Sequence, residues 1–135
     1  MNSKSRSNSK SPTITKLSWN NYFGFIEQLC KQLETVIDKF DFVYGIPRGG
    51  CIPAVLISHR LNEPMIETEK LKTTKKVLVI DDIVDTAKTI SQIKKKYKNN
   101  ISLIAAIYKH KLCEYMPDFY IVTNNCWIQF PYEKD

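Results

Sequence analysis

Apolar residues fall at helical spacing along the first third of the chain. Trp19, Tyr22, Phe23, Ile26, Leu29, Cys30, Leu33, Val36, Ile37 and Phe40 recur every three or four positions behind Ser18, a residue suited to an N-cap. The spacing predicts a long amphipathic helix with its aromatics in the core. Residues 41–46 then read as a short strand, and Pro47-Arg48-Gly49-Gly50 leads into a helix over 52–61 with Pro53 in its first turn. Residues 63–67 fit an edge strand, because Pro64 has no N–H to donate centrally. A short charged link, 68–75, follows.

From Val77 to Ile80 the pattern changes. Four β-branched or aliphatic residues stand in a row without polar alternation, as in a strand covered on both faces of a parallel sheet. Ile90, Ile93 and Tyr97 return to helical spacing, and Asn99-Asn100 ends it. Residues 101–108 form another buried strand, which stops at Lys109-His110-Lys111. A last short strand over 119–122, a turn at 123–125 and an aromatic segment over 126–133 complete the chain. Strands alternating with helices predict an α/β fold: a single domain with a mostly parallel sheet flanked by helices.

With 135 residues and 43% hydrophobic content, the chain suffices for one small core. Residues 1–12 are almost wholly Ser, Asn and Lys, so the first 15 residues are set apart as a flexible basic tail and the domain as 16–135. The net charge of +6 raises nucleic acid as a partner. Its lysines lie in the tail and after the second predicted site helix, with no aromatic interleaving, so a solvated tail and helix face are preferred. Cys30, Cys51, Cys113 and Cys126 lack metal-ligand spacing and read as free thiols of a reducing cytoplasm. No stretch has the length and apolarity of a membrane span or a signal-peptide core.

The candidate chemistry lies where strands end. After Ile80 come Asp81, Asp82 and Asp85, then the turn Thr86-Ala87-Lys88-Thr89 at a helix N-terminus. Ligands of parallel sheets bind beyond the carboxyl ends of strands, and helix N-termini favour phosphate. Taken singly, Asp81 and Asp82 serve as well to end a strand, and Asp85 or Thr86 to cap a helix, as they do to meet a ligand. Arg48-Gly49-Gly50 repeats the strand–turn–helix arrangement with a guanidinium suited to phosphate oxygens.

The run from Val77 to Thr89 resembles the phosphoribosyl-pyrophosphate (PRPP) signature of type I phosphoribosyltransferases: apolar residues, two acids, two apolar residues, then Asp-Thr-Gly-x-Thr. Ala87 stands in the glycine position. Trp127-Ile128-x-x-Pro131-Tyr132-Glu133, with Lys109 after the preceding long strand, is similar to the bacterial xanthine-guanine and other 6-oxopurine members.

The resemblance implies transfer of a 5-phosphoribosyl group from PRPP to guanine, xanthine or hypoxanthine in cytoplasmic purine salvage, with Mg²⁺ as cofactor. It implies that Asp81 and Asp82 meet the ribose hydroxyls and, through water, the metal, and that Asp85 manages a purine proton. It also gives Thr86, Ala87, Lys88 and Thr89 the 5-phosphate, and Arg48, Gly49 and Gly50 the pyrophosphate. Lys109, Trp127 and Ile128 would take the base: lysine offers only donors, which suits an oxo group. A cis Pro47–Arg48 peptide and a homodimer or higher oligomer are also implied. Ala87 is expected to need either a negative φ or a phosphate seated slightly back from the turn. Both acids of the pair are expected to face solvent beyond the strand. The long flexible arm of the family is missing between residues 67 and 76, which keeps open a second reading, a PRPP-binding regulatory protein with weak catalysis.

Overall fold

A computed structural model describes residues 14–124 and 127–133. Its elements are β1 (Ile14–Lys16), α1 (Trp19–Glu34), β2 (Phe42–Gly45), α2 (Cys51–Leu61), β3 (Val77–Val84), α3 (Lys88–Lys96), β4 (Ile101–His110), β5 (Val122–Asn124) and β6 (Trp127–Gln129). The parallel sheet runs β2-β3-β4-β5, and a separate parallel pair joins β1 to β6. The tail expected over 1–15 therefore ends earlier than predicted, since Ile14 and Thr15 pair with Trp127 and Ile128. Residues 1–13 lie outside the described residues.

Ser18 caps α1 by accepting from the Asn21 N–H at 3.1 Å. The helix stops at Glu34, short of the predicted end, and Ile37–Lys39 follows as a single 3₁₀ turn. Tyr22, Ile26, Leu29, Cys30 and Leu33 form its buried stripe. Trp19 and Phe23 do not join them: both are nearly half exposed, on the margin of that stripe rather than within it. Arg60 of α2 clasps α1 through Glu27 at 2.8 Å and Glu34 at 3.0 Å.

The sheet divides two apolar layers. Val43, Leu78, Ile80, Ala105 and Ile107 face α1 and α2, while Tyr44, Val77, Val79, Ile104 and Ala106 face the side of α3. This period of two explains the unbroken apolar runs, because both faces of β3 and β4 are covered. The predicted edge strand at 63–67 shrinks to one bridge between Met65 and Val43. The predicted strand at 119–122 shifts to Val122–Asn124, with Phe119 making a single bridge to Ala105.

The 68–75 link opens with the 3₁₀ turn Thr68–Lys70 and is pinned by buried Leu71. Thr68, Glu69 and Lys72 share a recess with Lys96, Tyr97 and Asn100 at the C-terminal end of α3, away from the acids.

Candidate active site

The structure extends β3 four residues past Ile80, so Asp81 and Asp82 belong to the strand itself. Burial follows. Asp82 is only 9% exposed, which corrects the expectation that both acids face solvent. Alternation along the strand sends the pair into different spaces. Asp81 lines a pocket of about 70 Å³ with Asp85, Thr86, Ala87, Lys88 and Thr89. Asp82 lines an open cleft of about 740 Å³ with Arg48, Gly49, Ile52, Tyr132 and Glu133.

Each acid also holds backbone. Asp81 Oδ1 accepts from the Asp82 N–H at 2.9 Å, and Asp82 Oδ1 accepts from the Ile83 N–H at 2.8 Å. Burial, and then the negative charge of Asp82, push the Asp81 carboxyl well above the usual carboxylate range.

In the smaller pocket, Asp85 Oδ1 accepts from the Thr86 N–H, and the Thr86 hydroxyl accepts weakly from the Lys88 N–H at 3.4 Å. Ala87 occupies the N-cap position of α3, and that position supplies no side-chain hydrogen bond. First-turn N–H groups of α3 are thus left for a ligand. Ala87 has φ 61°, in the left-handed region, so of the two conditions expected for it the negative φ is not met and a phosphate seated slightly back is the one left. Its methyl is buried beside the cluster that includes Val84 and Ile90, which offsets part of that strain.

The larger cleft depends on close backbone approach. A Cβ on Gly49 would fall against the Asp82 carboxylate, and one on Gly50 would sit 2.5 Å from the Ile80 carbonyl oxygen. None of the described glycines has a positive φ, so what Gly49 and Gly50 supply here is space for close approach. The Pro47–Arg48 peptide is cis. Gly50 N–H closes the turn onto the Ile46 carbonyl at 2.8 Å.

The expected base-binding residues are less well assembled. Lys109 is buried, and its ammonium donates to the carbonyls of Cys113 at 2.6 Å and His110 at 3.3 Å. It ties down the turn after β4 instead of standing free in the cleft, since burial obliges an ammonium to find acceptors nearby. Ile128 packs on the core beside Leu17, Phe25 and Tyr108, which removes its side chain from the open cleft. Trp127 lies in β6 opposite Ile14, and its side chain, like all of Cys126, lies outside the described residues.

Sequence reasoning gave no role to Tyr132 or Glu133. Both line the cleft, Tyr132 beside Asp82 and Glu133 with Oε1 accepting from the Phe130 N–H at 2.8 Å. The aromatic-acid pair after Pro131 was the available signal.

No protein-family model matches the chain. Among curated proteins, a xanthine-guanine phosphoribosyltransferase of Chromohalobacter salexigens is 28% identical over 137 residues, covering 87% of this chain and 82% of that one. Among solved structures, a purine phosphoribosyltransferase from Pyrococcus horikoshii superposes with TM-score 0.76 at 29% identity, covering 90% of this chain and 95% of that one. The chain is similar in sequence and fold to these phosphoribosyltransferases. A xanthine-guanine-hypoxanthine phosphoribosyltransferase of Helicobacter pylori, at 18% identity and TM-score 0.73, covers 89% of this chain and 93% of that one and shares the fold. On this phosphoribosyltransferase fold the two cavities flank the carboxyl end of β3, where parallel sheets place their ligands.

Proposed function

We propose that this protein is a purine phosphoribosyltransferase that moves the 5-phosphoribosyl group of PRPP to a 6-oxopurine and releases pyrophosphate. The observation that carries the reading is the division of one acid pair between two cavities. A single PRPP bridging β3 would put its 5-phosphate at the uncapped start of α3 and its pyrophosphate beside Arg48 and Gly49. The ribose would then lie across Asp81 and Asp82, whose carboxylates accept from its hydroxyls. Negative charge there favours the cationic, oxocarbenium-like sugar as the bond to pyrophosphate breaks. The Arg48 guanidinium and the N–H groups of its turn receive the departing oxygens. Asp85, at the edge of the phosphate turn, is positioned to take the purine proton.

Among the described residues no three His, Cys, Asp or Glu side chains form a metal cage. This donor set suits Mg²⁺, which keeps much of its water and takes one or two carboxylates together with substrate phosphates. Asp82, the carboxylate open to the Arg48 cleft, would hold it, with Asp81 acting through water. The ion would supply charge neutralisation on the pyrophosphate.

The preference for guanine, xanthine or hypoxanthine draws support from the names of the relatives more than from Lys109, whose ammonium is occupied. No helix among the described residues is long and apolar enough to cross a membrane. A cytoplasmic location and a homo-oligomer remain part of the proposal, the latter open to sedimentation analysis.

Transfer assays with labelled purines and pyrimidines, PRPP and Mg²⁺ test the reading. Ribosylation of 6-oxopurines is expected, and adenine should react far more slowly. PRPP binding with no transfer to any base would instead select the weakly catalytic regulatory reading, which the left-handed Ala87 and the pinned 68–75 link favour.

A further inference from the structure

The Tyr132 hydroxyl stands 3.3 Å from Asp82 Oδ2 and 3.5 Å from the Gly49 carbonyl oxygen. It therefore touches both walls of the larger cleft, one from β3 and one from the 47–50 turn. We infer that Tyr132 is a positioning residue that fixes the Asp82 carboxylate and the Gly49 backbone in the geometry needed for the metal-bound pyrophosphate of PRPP. This rests on the phosphoribosyltransferase reading above and deepens it.

The hydrogen bonding of Asp82 carries the argument. Its Oδ1 is already engaged by the Ile83 N–H at 2.8 Å, so Tyr132 is the group that orients Oδ2. Bonds from a neutral hydroxyl to a carboxylate are charge-assisted and directional. A phenol keeps its proton at neutral pH, so the Tyr132 hydroxyl is the donor of this pair. One hydroxyl carries one proton, so Tyr132 donates to Asp82 or to Gly49 at a given moment, and the carboxylate is the stronger acceptor. The absence of a Cβ on Gly49 is what lets all three groups meet.

The ring is held independently of its hydroxyl. It stacks on Phe130 at 5.6 Å and 13°, meets Tyr22 edge-on at 5.7 Å, and lies 6.2 Å from Trp19. Behind it, the Tyr22 hydroxyl is fully buried and makes no hydrogen bond among the described residues. A buried hydroxyl without a partner is costly, and Tyr132 is the polar group with which it interacts most strongly. The two phenols thus form a short polar file ending at Asp82, set inside an aromatic cluster that leaves little room for rearrangement.

Tyr132→Phe keeps the ring packing and deletes only the donor. Binding of Mg²⁺-pyrophosphate, measured by titration calorimetry, should weaken about tenfold, the scale of one charge-assisted hydrogen bond. KM for PRPP should rise in parallel, while KM for the base stays within about twofold of wild type. In an Asp82→Asn background the same substitution should add little, because the loss runs through Asp82. A general fold defect would instead lower affinity in both backgrounds and raise both KM values, and either pattern would overturn the inference. So would a Tyr132→Phe protein that binds Mg²⁺-pyrophosphate as tightly as wild type. If wild-type protein binds neither pyrophosphate nor PRPP, the reading of the site fails first and takes this role with it.

Discussion

In the 47–50 turn the residues under tightest backbone contact are glycines, whereas the 85–89 turn puts an alanine at φ 61°. Both turns join a strand to a helix, and both face the carboxyl end of the sheet. The first is braced from three sides, by the Ile46 carbonyl, the Ile80 carbonyl and the Asp82 carboxylate. The second is held by its own short side chains, Asp85 on Thr86 and Thr86 on Lys88, and by one buried methyl. The side proposed for pyrophosphate is thus built before a ligand arrives. The phosphate side leaves N–H groups of α3 unsatisfied, and a bound phosphate would complete the turn.

The largest effect that would break this contrast lies on the braced side. Gly49→Ala drives a methyl into the Asp82 carboxylate, which can yield only by swinging away from the Tyr132 hydroxyl and its place in the cleft. Misplacement of a site by about 1 Å costs on the order of 100-fold in rate, so kcat/KM for PRPP should fall at least that far. Steady-state kinetics beside a melting curve would check it. Activity near wild type in a folded Gly49→Ala protein would show that the turn is not under the contact described.

The acid pair gives the next largest effect and separates the two cavities. Asp82→Asn removes the charge facing Arg48 and should cut PRPP affinity about tenfold to hundredfold. Asp81→Asn should also impair transfer, yet it replaces a carboxyl that burial forces to take up a proton on folding at neutral pH, so the melting temperature there should hold or rise. A drop of several degrees for Asp81→Asn would mean that the carboxylate anchors the strand rather than straining it.

Much of this arrangement could be read in the chain before its structure was known. Val77 to Ile80 had to be a strand covered on both faces, and the three acids after it had to stand toward the carboxyl end of the sheet. Periodicity could not say where β3 stops, because Ile83 and Val84 suit a strand as well as a turn, and parallel pairing with β4 carried it to Val84. That added length buried Asp82. The surroundings of Lys109 were hidden for a related reason: β4 runs on to His110, and the turn behind it bends the Cys113 carbonyl back onto the ammonium. Such a contact depends on how a loop folds, and no spacing rule encodes it. Trp19 and Phe23 followed helical spacing faithfully, yet α1 lies so that they flank its buried stripe. Tyr132 reaches Asp82 across 50 positions of sequence, a contact that only the tertiary fold creates.

Ala87→Gly probes the loosely held side and should produce the smallest change. Three terms compete. Release from the left-handed region returns about 1–2 kcal/mol, because a Cβ there crowds the following carbonyl. Against it, loss of a buried methyl costs about 0.8 kcal/mol, and the added freedom of glycine in the unfolded chain costs about 0.5–1 kcal/mol. The sum is close to zero, so stability should change by less than about 1 kcal/mol in either direction. Affinity is a different matter, because Ala87 lines the smaller pocket, and a glycine there would leave the turn freer to close on a phosphate. PRPP should therefore bind a few-fold more tightly to Ala87→Gly, about 1 kcal/mol at most, while pyrophosphate alone binds as before. Equal gains for both ligands would show that the two turns move together, and the distinction between a prebuilt and a ligand-completed half would not stand.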